Sequence, residues 1–188
     1  MRAVPTALAD VILVEPDVYR DDRGYFLETY HEPKYHAIGI DLPFVQDNQS
    51  RSVRGTIRGL HLQLGARPQA KLVRVLEGEI WDVAVDVRRG SPTFGQWVGN
   101  RLSAERFTQC YIPAGFAHGF SVLSPVAVIA YKCTEVYDPA AEIGIAWDDP
   151  ALAITWHVEN PILSDRDRGH PPLTLLDDRL PRYQATAL

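Results

Sequence analysis

Cysteine is scarce: the two present, Cys110 and Cys133, form neither a Cys-x-x-Cys pair nor a metal-binding spacing. That excludes a disulfide framework and a thiolate zinc site and leaves both as reduced packing residues. No apolar run is long enough to span a bilayer, and the start lacks the cationic-then-apolar order of a signal peptide. The expectation is a soluble, cytoplasmic protein with no membrane partner. Positive charge is in deficit, with 19 Lys and Arg against 24 Asp and Glu for a net charge of −5. Affinity for a phosphate backbone comes from surplus cations, so no nucleic-acid partner is expected. Acid is missing in turn between Asp47 and Glu77, where Arg51, Arg54, Arg58, Arg67, Lys71 and Arg74 all fall. Such a stripe either solvates a sheet face or pairs with the oxygens of a small anionic ligand such as a diphosphate.

Helical periodicity is also rare: residues 32–38 form the best short candidate, 149–152 suggest a turn, and no repeat or low-complexity linker divides the chain. One core suffices for 188 residues, so a single domain over 1–188 is expected. What recurs instead is short alternating or β-branched runs at 11–14, 25–30, 56–62, 71–76, 79–87, 96–101, 107–112, 119–123 and 127–134. Bounded by Gly, Pro, Asp and Asn, they read as an all-β barrel or sandwich. Pro161, Pro171, Pro172 and Pro181 predict an extended terminal segment wrapped over the barrel. In residues 79–87, alternation puts Trp81, Val83, Val85 and Val87 on an apolar face and Asp82, Ala84 and Asp86 on the other. The same parity groups Gly59, His61 and Gln63 and turns Arg58 and Leu60 away. Arg58 and His61 therefore share a pocket only through a β-bulge or with the help of a second subunit.

Gly55 and His61 keep the opening spacing of G-x5-H-x-H-x3,4-E-x6-G, the first motif of metal-binding cupin barrels, and Gly78 follows Lys71 after six residues as its last Gly follows the Glu, across a longer gap of seven residues after Gln63. Gln63 stands for the second histidine and Lys71 for the glutamate. An ammonium in that shell repels the cation it would have to hold, so the pocket is expected to hold no metal and to use its own lysine as the cation. Pro113-Ala-Gly115-Phe-Ala-His118 repeats the P-x-G-x-x-H core of the second cupin motif, although Phe107 and Val122 replace its flanking Gly and Asn. Alone, each histidine reads as a packed hydrogen bonder. Lys71 on a neighbouring strand changes that reading, and so does Tyr131, because a phenol facing an imidazole across a closed pocket supplies an acid and a base. Tyr137 shares a side with Tyr131 only while the strand stays regular. Asp167 is a candidate acceptor for the other ring N–H of His61.

Together, Asp22-Arg23-Gly24, Phe26-Leu-Glu28, Gln46-Asp47-Asn48-Gln-Ser-Arg, Arg58-Gly-Leu-His61-Leu-Gln63, Lys71-Leu-Val-Arg74, Pro113-Ala-Gly-Phe-Ala-His118-Gly-Phe, Tyr131-Lys132 and Leu163-Ser-Asp-Arg-Asp167 resemble the dTDP-4-dehydrorhamnose 3,5-epimerases of dTDP-L-rhamnose biosynthesis. The match covers nearly the whole chain. The resemblance implies a cupin-type jelly roll, a homodimer exchanging N-terminal strands, a dTDP-sugar substrate, and neither metal nor organic cofactor. It implies His61 as proton acceptor, Tyr131 as proton donor and Asp167 as the partner of His61. It further implies substrate contacts by Gln46, Asp47, Asn48, Arg58, Lys71 and His118. Glu142 and Arg166 join them, Tyr137 stacks on thymine, and Arg23 and Glu28 reach in from the partner chain. Arg166 stands where lysine is common and Asp165 where glutamate is common, both keeping charge. The alternatives are a monofunctional 3- or 5-epimerase of an antibiotic deoxysugar pathway and a non-catalytic sugar-binding cupin, the latter opposed by the presence of both His61 and Tyr131. A metal-dependent cupin oxygenase keeps only His61 and His118 of its ligand set.

Overall fold

Short β-branched runs broken by turn residues favour strands, because no stretch is long enough to repay nucleation of a long helix. The computed structural model describes residues 1–184. Its chain order begins with β1 (Arg2–Pro5), β2 (Ile12–Glu15), β3 (Val18–Asp21), β4 (Gly24–Leu27) and α1 (Glu32–His36). It continues through β5 (Gln46–Val53), β6 (Ile57–Gln63), β7 (Lys71–Glu77), β8 (Glu79–Asp86) and β9 (Trp97–Ser103). Then come β10 (Gln109–Ile112), β11 (Phe116–Val122), β12 (Val126–Cys133), β13 (Glu142–Gly144) and α2 (Asp165–Arg168), followed by short 3-10 turns at Leu173–Leu175 and Asp177–Arg179. Two antiparallel sheets, ordered β1-β2-β10-β7-β12-β5 and β13-β6-β11-β8-β9, face each other as a jelly roll, and β3 and β4 pair as a separate hairpin. The all-β, cupin-type expectation holds. The runs between 71 and 134 emerge as strands, while β1, β3, β5 and β13 carry no apolar alternation that would announce them. No helix of the described residues is long and apolar enough to cross a membrane.

One core fills the barrel, where Val73, Val75, Ile80, Ala84, Leu102, Phe116, Phe120 and Ile129 meet from both sheets. A second lies outside the five-stranded sheet: Leu60, Leu62, Val83, Val85 and Val87 pack under Leu152, Trp156, Leu163, Leu173, Leu176 and Leu180. The proline-rich end therefore covers this sheet, each buried aliphatic contributing about 1.5–3 kcal/mol of transfer free energy. The alternation predicted for residues 79–87 holds, but neither face of β8 meets solvent. Trp81 and the valines pack beneath the terminal segment, while Asp82, 1 % exposed, joins Ile80 and Ala84 on the barrel side.

A bulge resolves the parity conflict in β6. His61 pairs with His118 and Arg58 with Phe120, so Gly59 and Leu60 together oppose Gly119 alone. Both Arg58 and His61 then point into the barrel, and Leu60 packs outside. Gly59 has φ of +125°, and a β-carbon there would lie 2.5 Å from Gly119 Cα and 2.8 Å from the His118 carbonyl oxygen. Gly59→Ala is therefore expected to lose at least ~1–3 kcal/mol through backbone strain. A thermal melt should show a clear drop in Tm, with activity falling further than stability because the substitution also displaces His61. An unchanged melt and rate would contradict the bulge.

Candidate active site

The two sheets close around a cavity of about 260 Å3 lined by residues that include Arg58, His61, Lys71, His118, Tyr131 and Asp167. Four strands and α2 put them there: β6 and β11, with Asp167 of α2, supply one wall, and β7 and β12 supply the other. His61 and His118 consequently face Lys71 and Tyr131 across the gap. A larger groove, about 430 Å3, runs over the outer face of the six-stranded sheet beside Asp47, Arg74 and Lys132 and lacks such a constellation.

His61 Nε2 lies 2.7 Å from Asp167 Oδ1. Asp167 is held by α2, whose N-cap Ser164 accepts the Asp167 N–H through Oγ at 3.1 Å. Burial pushes the Asp167 carboxyl up, but the His61 hydrogen bond and charge, with Ser164, pull it below the usual carboxylate range. The carboxylate therefore stays ionised at neutral pH and accepts Nε2–H from His61, an orientation that in the neutral imidazole leaves the Nδ1 lone pair free to take a proton. On the same wall, His118 Nε2 lies 2.7 Å from Asp82 Oδ2, and the other Asp82 oxygen is buried without a partner.

Across the cavity, burial pushes the Tyr131 phenol above its ordinary value, with Cys133 adding to the rise and Arg58 opposing it. A phenol so shifted keeps its proton at neutral pH and can donate it. Burial pushes the Lys71 ammonium down, against the pull of Cys133, Glu142 and Asp82. The alkaline limb of kcat/KM is expected to fall below the ordinary lysine value of about 10.4, and Lys71→Arg, whose guanidinium stays charged, should move that limb upward. A pH–rate profile checks this; a limb unmoved by Lys71→Arg would contradict it.

At the mouth, Arg58 Nε donates to Ser52 Oγ at 3.0 Å. Tyr137 lies beyond the end of β12, where its N–H donates to Gln46 Oε1 at 2.8 Å and its hydroxyl to Glu142 Oε2 at 2.7 Å. The Arg166 guanidinium pairs with the same Glu142 oxygen. Burial raises the Glu142 carboxyl, but Arg166, Tyr137 and His61 together bring it below its ordinary value. Gln46 also donates to Asn48 Oδ1 at 3.1 Å, so Gln46, Asn48, Tyr137, Glu142 and Arg166 form one polar rim. Gln63, the residue in place of the motif histidine, is a loop tether. It donates to the Arg67 and Val136 carbonyls at 3.0 and 3.1 Å and accepts the Asp138 N–H at 2.8 Å.

Three candidates stand apart from this cavity. Asp47 alternates with Gln46 and Asn48 on β5 and points to the outer face, where it pairs with Lys132 at 3.0 Å. Arg23 pairs with Asp21 on the exposed β3–β4 hairpin, and Glu28 pairs with Lys34 at 2.8 Å. The cationic stripe divides for the same reason: Arg58 and Lys71 reach the cavity, while Arg74 lines the outer groove. Sequence reasoning missed Asp82 and Ser164. A Ser-x-x-Asp cap signal marked Ser164, and an acid within an apolar strand hinted that Asp82 needs a partner.

Fold and site together define a cupin-type barrel with an acid–base pocket. A model of the dTDP-4-dehydrorhamnose 3,5-epimerase family matches residues 5–174. A dTDP-4-dehydrorhamnose 3,5-epimerase of Pseudomonas aeruginosa is 55% identical over 170 residues, covering 89% of this chain and 93% of that one. One from Methanothermobacter thermautotrophicus is 51% identical over 175 residues, covering 92% and 94%. The crystal structure of dTDP-6-deoxy-D-glucose-3,5-epimerase from Legionella pneumophila Philadelphia 1 in complex with dTDP-4-keto-L-rhamnose superposes with a TM-score of 0.95 at 50% identity, covering 98% of this chain and 99% of that one. The chain belongs to the dTDP-4-dehydrorhamnose 3,5-epimerase family.

Proposed function

We propose that the protein converts dTDP-4-dehydro-6-deoxy-D-glucose to dTDP-4-dehydro-L-rhamnose by inverting C3 and C5, a step of dTDP-L-rhamnose biosynthesis. The observation that carries this reading is the opposition of His61, paired with Asp167, to Tyr131 and Lys71 on the facing sheet. The C4 ketone acidifies the hydrogens at C3 and C5. His61 removes one of them, the resulting enolate charge is stabilised by the Lys71 ammonium, and Tyr131 returns a proton from the opposite face. Once His61 has released its proton to solvent and Tyr131 has taken one up, repetition at the second carbon completes the inversion. Arg58, His118 and the rim of Gln46, Asn48, Tyr137, Glu142 and Arg166 hold the nucleotide sugar.

Incubation with dTDP-4-dehydro-6-deoxy-D-glucose should yield the L-sugar, read from product stereochemistry. Inversion of one carbon alone would make the enzyme a monofunctional epimerase, and an unchanged sugar would overturn the reading. The chemistry needs no metal, so activity should survive exhaustive chelation; loss restored by one particular ion would contradict it.

The same proposal makes the protein a single-domain cytoplasmic enzyme acting as a homodimer. The β3–β4 hairpin supports the dimer, for Tyr19, Tyr25 and Phe26 are 63%, 57% and 69% exposed there beside Arg23, away from their own chain's cavity. Light scattering and activity on one sample should give an active dimer. A fully active monomer would contradict the shared site.

A further inference from the structure

His170 follows α2 and has no part in the chemistry proposed above. Its ring meets that of His61 edge to face, with centroids 5.4 Å apart and planes at 87°. It lies against bare backbone, since a β-carbon on Gly144 would fall 2.1 Å from one ring atom and 2.2 Å from two others. The His170 Nδ1 is buried without a hydrogen-bond partner. Ligand atoms of His61, Asp167 and His170 all lie within 4.8 Å of one another. Two imidazoles and one carboxylate converging in this way are a donor set suited to a divalent transition metal. Lys71, which opposes a cation at the centre of the barrel, stands on the other sheet.

We infer that His61, Asp167 and His170 form an inhibitory transition-metal site whose occupancy switches off the catalytic base. The switch rests on the proposed role of His61; the metal site does not. Zinc-class bonds to N and O of about 2.0–2.2 Å put tetrahedral ligand atoms roughly 3.4 Å apart. The His61–Asp167 pair at 2.7 Å needs only to open slightly around the ion, and His170 closes the triangle by turning its ring. In the active arrangement Nε2–H donates to Asp167 and Nδ1 keeps its lone pair. A metal bound at Nε2 needs a lone pair there, so the single ring proton moves to Nδ1. No nitrogen of His61 is then left to accept a proton from the sugar.

Cobalt(II) is the probe, because its visible absorption reports coordination independently of turnover. One equivalent per chain should produce the absorption and suppress epimerisation in parallel, with zinc displacing it and EDTA reversing both effects. His170→Phe keeps a ring against Gly144 and should retain the metal-free rate. It should need about tenfold more cobalt, or beyond, for either effect, because loss of a direct ligand costs no less than the tenfold or greater losses seen for outer-sphere changes. Equal cobalt sensitivity of wild type and His170→Phe, or no absorption in wild type, would overturn the site. Absorption without inhibition would overturn the switch and trace the failure to the base assignment.

Discussion

His61→Asn should lower kcat by roughly 100- to 10,000-fold, the usual contribution of a positioned general base. Asparagine retains a donor toward Asp167, which lies 2.7 Å from His61 Nε2, so the wall of the cavity should survive. What disappears is the lone pair that accepts the proton from C3 or C5. Substrate binding depends chiefly on the polar rim, so KM should change far less than kcat. Loss of solvent-deuterium uptake at both carbons must accompany the loss of rate. Uptake at the wild-type rate in His61→Asn would assign the base elsewhere.

Lys71→Met should lower kcat by about 100- to 1,000-fold, as removal of a preorganised oxyanion donor does. Methionine keeps an unbranched chain in the space on β7 and removes the charge, so packing should change little. The ammonium matters most once the C4 oxygen becomes an enolate, and an interaction made mainly in the transition state appears in kcat rather than KM. Steady-state kinetics on the purified variant separate the two. A loss confined to KM would make Lys71 a substrate anchor only.

The barrel strands were legible because β-branched alternation is strong from β6 to β12. β5 escaped because Gln46, Asn48, Ser50 and Ser52 face inward, where a polar rim replaces the apolar stripe that normally marks a strand. Period-2 reasoning failed at one place in β6: the bulge at Gly59 and Leu60 turns Arg58 back toward His61. The proximity of Asp167 to His61 is a long-range fact, created when the terminal segment folds over the five-stranded sheet. Its motif identified the residue but not the distance. His170 carried no signal, since only the lack of a side chain on Gly144 makes room for its ring. Resemblance named Asp47 as a substrate contact, yet its side chain turns to the opposite face of the sheet.

Acid and base on opposing walls are tested most directly by running wild type and Tyr131→Phe in heavy water and reading deuterium content and configuration at C3 and C5. Wild type should label both carbons and invert both. In Tyr131→Phe, His61 still removes a proton and can return a deuteron to the face it left, so exchange should persist with little inversion. Inversion of both centres by Tyr131→Phe at the wild-type rate would contradict the account.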